Sequence, residues 1–146
     1  DTNNVLNSLI EASVKFKFNL KIGCPKKYEP KNLIIDWVKR NKKKLYIFND
    51  VKKAIINSDV IFSDKVVSMN DIVNKEKKIK AFKNFKINKK IMSYAKKDAI
   101  FLHCLPRGTE VTDDVFLGKQ SKVWQQALNR VYVQKSILLY CFDKLR

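Results

Sequence analysis

Apolar positions along the chain alternate between short runs and longer stretches with helical spacing. Leu6, Leu9, Ile10, Ser13 and Val14 fall near one face, which predicts a helix over 5–16. A strand follows at 18–22, and Pro25 and Pro30 bracket a loop. The same reading gives a helix over 33–38 running on towards Arg40, a strand at 45–48, a helix at 51–57 and a strand at 59–62. Beyond a loop at 65–70 come a charged amphipathic helix at 72–85, a shorter helix at 89–94 and an apolar strand at 99–104. A Pro–Gly loop, a short turn at 113–117 and a last helix over about 123–142 complete the chain. The apolar stretch 136–142 reads as a buried helix end. Strands alternating with helices predict a single α/β domain, a doubly wound, Rossmann-like parallel sheet of four or five strands with helices on both faces. In such sheets ligands sit beyond the carboxyl ends of the strands. Attention therefore falls on Asp64, just after one strand, and on 103–106, at the end of another.

Composition narrows the class. The 146 residues are 45% apolar, enough for one core. Mean hydropathy is −0.32, and no apolar run approaches the ~20 residues of a membrane span. Net charge is +17, from 31 Lys and Arg against 14 Asp and Glu, which raises the question of a nucleic-acid partner. The excess is almost all lysine, spread through segments such as 41–44, 75–80 and 88–90, and arginine, the usual reader of bases and phosphates, is scarce. A solvated lysine surface is the expectation, with no specific nucleic acid and no membrane among the partners. Three cysteines, Cys24, Cys104 and Cys141, are odd in number and lack metal-site spacing, which suits free thiols in a reducing compartment. Cys24 and Cys141 are expected to be small buried packing groups. The chain begins at Asp1, without an initiator Met and inside what reads as a working motif, so a fragment is expected.

Four segments carry possible chemistry. Asp1-Thr2-Asn3-Asn4-Val5-Leu6-Asn7-Ser8 places polar residues before a helix. They cap free N–H groups, and the same geometry suits a carboxylate ligand. Ser63-Asp64-Lys65-Val66-Val67-Ser68-Met69-Asn70 puts an Asp just past a strand, with a Ser four residues on. That is either a turn-and-cap pair or a grip for an ammonium group. Phe101-Leu102-His103-Cys104-Leu105-Pro106-Arg107-Gly108 holds the one His of the chain. Neighbours on a strand face opposite ways, so His103 is a poor direct base for Cys104. A strand-end thiol facing a cleft is instead suited to meet a substrate amine. Gln126-Ala127-Leu128-Asn129-Arg130 offers an Arg that is either a surface ion-pair partner or a fork for phosphate or carboxylate.

In combination and in this order, these segments resemble the aspartate/ornithine carbamoyltransferase family, on its ornithine side. His103-Cys104-Leu105-Pro106 matches the family's His-Cys-Leu-Pro signature, where aspartate-specific members carry Pro at the Cys position. Asp64 with Ser68-Met69 matches an Asp-x-x-x-Ser-Met element, and Asn3-Asn4 with Ser8 an Asn-Asn-x-x-x-Ser element. Pro25-Lys26-Lys27-Tyr28-Glu29-Pro30 resembles a Pro-Lys-Gly-Tyr-Glu-Pro loop. Glu110-Val111-Thr112-Asp113-Asp114-Val115 and Asn129-Arg130 continue the likeness, which covers nearly all of the chain.

The resemblance implies roles. Residues 1–146 would be the C-terminal, ornithine-binding domain. L-ornithine would be held by Asn4 and the Met69 backbone at its carboxylate, and by Asp64 and Ser68 at its α-ammonium. Cys104, beside Asp64, would lie by the δ-amine that attacks carbamoyl phosphate. That second substrate would be held by Arg130 and the backbone around Cys104 and Leu105. Asp64 and Cys104 would be the catalytic pair, with no metal, cofactor or covalent intermediate. The products would be citrulline and phosphate, in arginine or citrulline metabolism. The location implied is the cytoplasm, or the mitochondrial matrix in a eukaryote. The family's Ser-x-Arg-Thr phosphate loop belongs to an N-terminal domain that also builds a catalytic homotrimer, and no such loop is present here. Thr2 and Asn70 stand where the family has Gly, and Val66 where it has Trp. The alternative is a truncated, non-catalytic module that binds an amino acid or a partner chain.

Overall fold

The computed structural model of the chain describes residues 2–67 and 75–142. Helix α1 (Asn4–Lys15) is capped by Asn3, whose side chain accepts from the Leu6 N–H, and it buries Ile10 and Ser13. Strand β1 (Lys21–Gly23) follows, then a 3₁₀ turn over Lys26–Tyr28 between the two prolines. Helix α2 (Asn32–Arg40) turns Val38 inward and ends on Lys39 and Arg40, a favourable sign for a helix C-terminus. Strand β2 (Tyr46–Phe48), helix α3 (Val51–Ile55) and strand β3 (Val60–Ser63) come next. Helix α4 (Lys75–Phe82) runs into a 3₁₀ turn at Lys83–Phe85, and α5 (Lys89–Met92) is capped by Asn88. Strand β4 (Ile100–His103), helix α6 (Asp113–Phe116) and helix α7 (Val123–Cys141) complete the order.

The arrangement is α/β with parallel strands, as expected, but among the described residues the strands form two pairs, not one continuous sheet. β1 pairs with β2, and β3 with β4. Strands of three or four residues offer few ladder bonds, and other contacts join the halves. The Lys21 Nζ donates to the Ile56 carbonyl at 2.5 Å. Helix α3 packs on β1 and β2 while sending Ile55 into the core around β3 and β4. That core centres on Phe101, Ala99 and Val123; a second one gathers Ile10, Ile22, Cys24, Val38 and Phe82. At Gly23 β1 and α3 approach closely: a Cβ there would stand 2.9 Å from that of Ala54.

Two expectations about burial divide. Cys24 is buried as anticipated, but Cys141 is exposed. The stretch 136–142 is not a buried helix end either: Ile137, Leu138, Tyr140 and Phe142 are all exposed. Apolar composition reports what a helix would bury, and none of the described residues buries the second half of α7. The lysines follow the expected surface pattern; most are exposed, though Lys78 is buried.

Helices α1, α2 and α3 are each followed by a left-handed residue that is not glycine: Lys17, Lys42 and Asn57, with φ of 59°, 57° and 56°. All three are exposed, so their side chains add little. A side chain in this region costs about 1 kcal/mol, least for Asn. Lys17→Gly and Lys42→Gly are each expected to raise the unfolding free energy by about 0.5–1 kcal/mol, and Asn57→Gly by less. Urea unfolding of the three variants checks the order.

Candidate functional site

The parallel register of β3 and β4 builds the site. Ser63 lies opposite His103, so the next residue of each strand, Asp64 and Cys104, emerges side by side at the carboxyl edge. The Cys104 thiol donates to Asp64 Oδ1 at 3.2 Å. The same oxygen accepts the Lys65 N–H at 2.8 Å, and Oδ2 accepts from Asn3 Nδ2. Three donors from two strand ends and one helix cap thus converge on a single carboxylate. Asn4 is the first residue of α1 and exposed, next along the chain from the residue that grips Asp64.

Burial pushes the Cys104 thiol up, and its hydrogen bond to Asp64 pushes it further, to about 11. At neutral pH it is a protonated donor and not a thiolate nucleophile. His103 does not act on it. Strand alternation turns the imidazole into the core, where the side chain has no exposure. Its Nδ1 faces the Cys104 carbonyl, and its Nε2 lies 3.0 Å from Glu110 Oε1. The Nε2 contact is close in distance but is not an aligned hydrogen bond. The rings of Phe101 and Phe116 flank the imidazole, with centroids 6.2 and 6.0 Å away.

Glu110 is a residue whose part the sequence alone does not reveal. It is buried, accepts the Gly108 N–H on Oε1 and takes a long contact from the Val66 N–H on Oε2, at 3.4 Å. Burial pushes its carboxyl up, but the His103 ring and the Gly108 and Val66 amides outweigh that and hold it down at about 2. It thereby ties the β4 loop to the loop that follows Asp64. Gln126 is another: its Oε1 accepts the His103 N–H at 3.0 Å, pinning the first turn of α7 to the end of β4. Both stand in segments singled out from the sequence, but nothing there gives them these partners, which lie 2 to 44 residues away along the chain.

The expected site residues divide. Asp64 and Cys104 are brought together. Asn4 stands at the helix N-terminus beside them, and Leu105 is exposed directly after Cys104, before a cis bond to Pro106. Arg130 is exposed on α7, four residues and so about one turn beyond Gln126 on the same face, with no side-chain partner among the described residues. Ser68 and Met69 lie outside the described residues, as does Asn70. Among the described residues no three His, Cys, Asp or Glu side chains converge as metal ligands would. No described helix is long and apolar enough to cross a membrane.

Comparison with known proteins adds three findings. The profile of a family described as "Aspartate/ornithine carbamoyltransferase, Asp/Orn binding domain" matches residues 1–141. The ornithine carbamoyltransferase of Bradyrhizobium diazoefficiens is 41% identical over 148 residues, covering 100% of this chain and 48% of the relative. Among solved structures, the anabolic ornithine carbamoyltransferase of Campylobacter jejuni superposes with a TM-score of 0.90 at 36% identity, over 99% of this chain and 50% of that one. The Pyrococcus furiosus ornithine carbamoyltransferase gives 0.84 at 38% identity, over 95% and 46%. The chain spans about half the length of the relatives it matches.

Proposed function

Because this chain belongs to the aspartate/ornithine carbamoyltransferase family through its Asp/Orn-binding domain, we propose that it is the ornithine-binding half of an ornithine carbamoyltransferase. The observation that carries the reading is the Asp64–Cys104 pair at adjacent strand ends, beside the N-terminus of α1. Asp64, with Ser68, holds the α-ammonium of L-ornithine, and Asn4, with the Met69 backbone, holds the carboxylate. The protonated Cys104 thiol lies by the δ-amine without competing as a nucleophile. Arg130 and the backbone at Cys104 and Leu105 hold carbamoyl phosphate. The amine nitrogen bonds to the carbamoyl carbon, the carbon–oxygen bond to phosphate breaks, and the proton the amine gives up goes to the departing phosphate. The chain's own part is to place the amine and balance its charge.

The partner is the other half of the enzyme, within a homotrimer, in the cytoplasm or the mitochondrial matrix. The exposed face of α7 fits it. Tyr132, Val133, Ser136, Ile137 and Tyr140 line a shallow, mostly apolar groove at helical spacing. Relatives twice as long have a first half available to cover such a face. Two substrates must be held in register for transfer, and one half cannot do that. The isolated chain is therefore expected to form no citrulline from ornithine and carbamoyl phosphate, whereas the chain joined to a relative's first half forms it readily. A colorimetric citrulline assay on both decides. Robust turnover by the isolated chain overturns the half-site reading, and none by the joined protein overturns the function.

A further inference from the structure

Asn3 makes two contacts whose partners fix its orientation. Its Oδ1 accepts the Leu6 N–H at 3.0 Å, and its Nδ2 donates to Asp64 Oδ2, across 61 residues of sequence. A backbone N–H only donates and a carboxylate oxygen only accepts, so the flipped carboxamide would lose both contacts. The other oxygen of Asp64 is held by the Lys65 N–H and the Cys104 thiol. Without Asn3, the carboxylate is anchored at one oxygen and can turn about its terminal torsion, which is broad. With Asn3, its plane is set by the same helix N-terminus that presents Asn4.

We propose that Asn3 is a positioning residue for the amino-acid substrate: it locks the Asp64 carboxylate to the start of α1. This rests on reading the site as an ornithine pocket. In that pocket the ammonium meets Asp64 and the carboxylate meets Asn4. Asn3 precedes Asn4 in the chain and grips Asp64 through its side chain, so it sets the spacing between the two grips. That spacing is what an α-amino acid presents, whatever its side chain.

The test uses Asn3→Ser and Asn3→Asp in the joined protein described above. Both replacements keep an oxygen suited to capping α1. Serine is too short to reach Asp64 as well, and aspartate replaces the donor with a second carboxylate. Both variants are expected to unfold close to the parent's temperature. The KM for L-ornithine is expected to rise about tenfold in Asn3→Ser, the loss of one hydrogen bond to a charged group, and further in Asn3→Asp. The KM for carbamoyl phosphate stays unchanged. A lowered unfolding temperature with both constants moving together would instead mark a purely structural role, and that result overturns the proposal. An unchanged ornithine KM in both variants overturns it as well. If the joined parent forms no citrulline, the reading of the pocket has failed on its own account. The carbon-13 carboxyl resonance of Asp64 at fixed pH then decides the contact: it moves in Asn3→Ser if Asn3 holds Asp64, and a resonance that stays put ends the proposal.

Discussion

Asp64→Asn, in the chain joined to a relative's first half, is expected to lower kcat/KM for L-ornithine by about 100- to 1,000-fold. The loss has two sources. On the proposed reading the substitution removes the negative charge that meets the substrate ammonium, and charge-assisted hydrogen bonds are about twice as strong as neutral ones. It also breaks the local pattern of donors. Asp64 receives Asn3 Nδ2 on one oxygen and the Lys65 N–H and Cys104 thiol on the other. An amide has a single oxygen, so its NH₂ must point at one of these donors, whichever way it turns. Steady-state kinetics with either substrate varied will show it. A loss under about tenfold would mean that Asp64 does not bear on the substrate.

A second large effect is expected at Glu110, away from the substrate. Glu110→Ala should lower the unfolding free energy by about 2–5 kcal/mol, since each buried donor left without its acceptor costs about 1–3 kcal/mol. His103 would keep a ring with no side-chain exposure and no carboxylate beside it, and the Gly108 amide would lose its acceptor. Against a total stability of about 5–15 kcal/mol for a domain, this brings the chain near the point of unfolding. Glu110→Gln keeps the shape and should cost less. The folded carboxyl titrates at about 2, well below the ordinary glutamate range. A depressed folded value means that the stabilisation is fully present above the unfolded value, about 4.3, and is lost as pH falls from there through about 2. Urea unfolding from pH 7 down to pH 2 should show this slope in the parent and lose the Glu110 share of it in Glu110→Gln. An Ala variant as stable as the parent would rule the pair out as a stabilising element.

The parts of the site that could be read from sequence are those set by chain geometry. Asp64 and Cys104 each follow a strand, the strands are parallel, and the register does the rest. His103 turns away from Cys104 because neighbours on a strand must. What could not be read depends on partners distant in sequence. Asn3 is fully explained as a helix cap until its other amide atom is found on Asp64. Glu110 and Gln126 are ordinary polar residues of a loop and a helix until burial places one against His103 and the other on its N–H. Cys141 and the apolar end of α7 show the converse failure. Hydrophobicity says that a surface wants covering, but not that the cover belongs to the same chain. The sheet was expected whole because periodicity locates strands and says little about strands too short to hold together by ladder bonds.

Along α7 the unbroken exposed run begins one residue after Gln126 and continues through Leu138. In terms of amide exchange, the helix is two units of unequal protection. Its start is clamped by fully buried Val123 and by the Gln126 bond to the end of β4. The turns beyond rest on their own backbone hydrogen bonds, and such turns open without waiting for the rest of the domain. The clamp lies between those turns and the strand end, so they can fray or be seized by another surface while His103 and Cys104 keep their places. A helix built in this way keeps its first turn on the strand end while its later turns move.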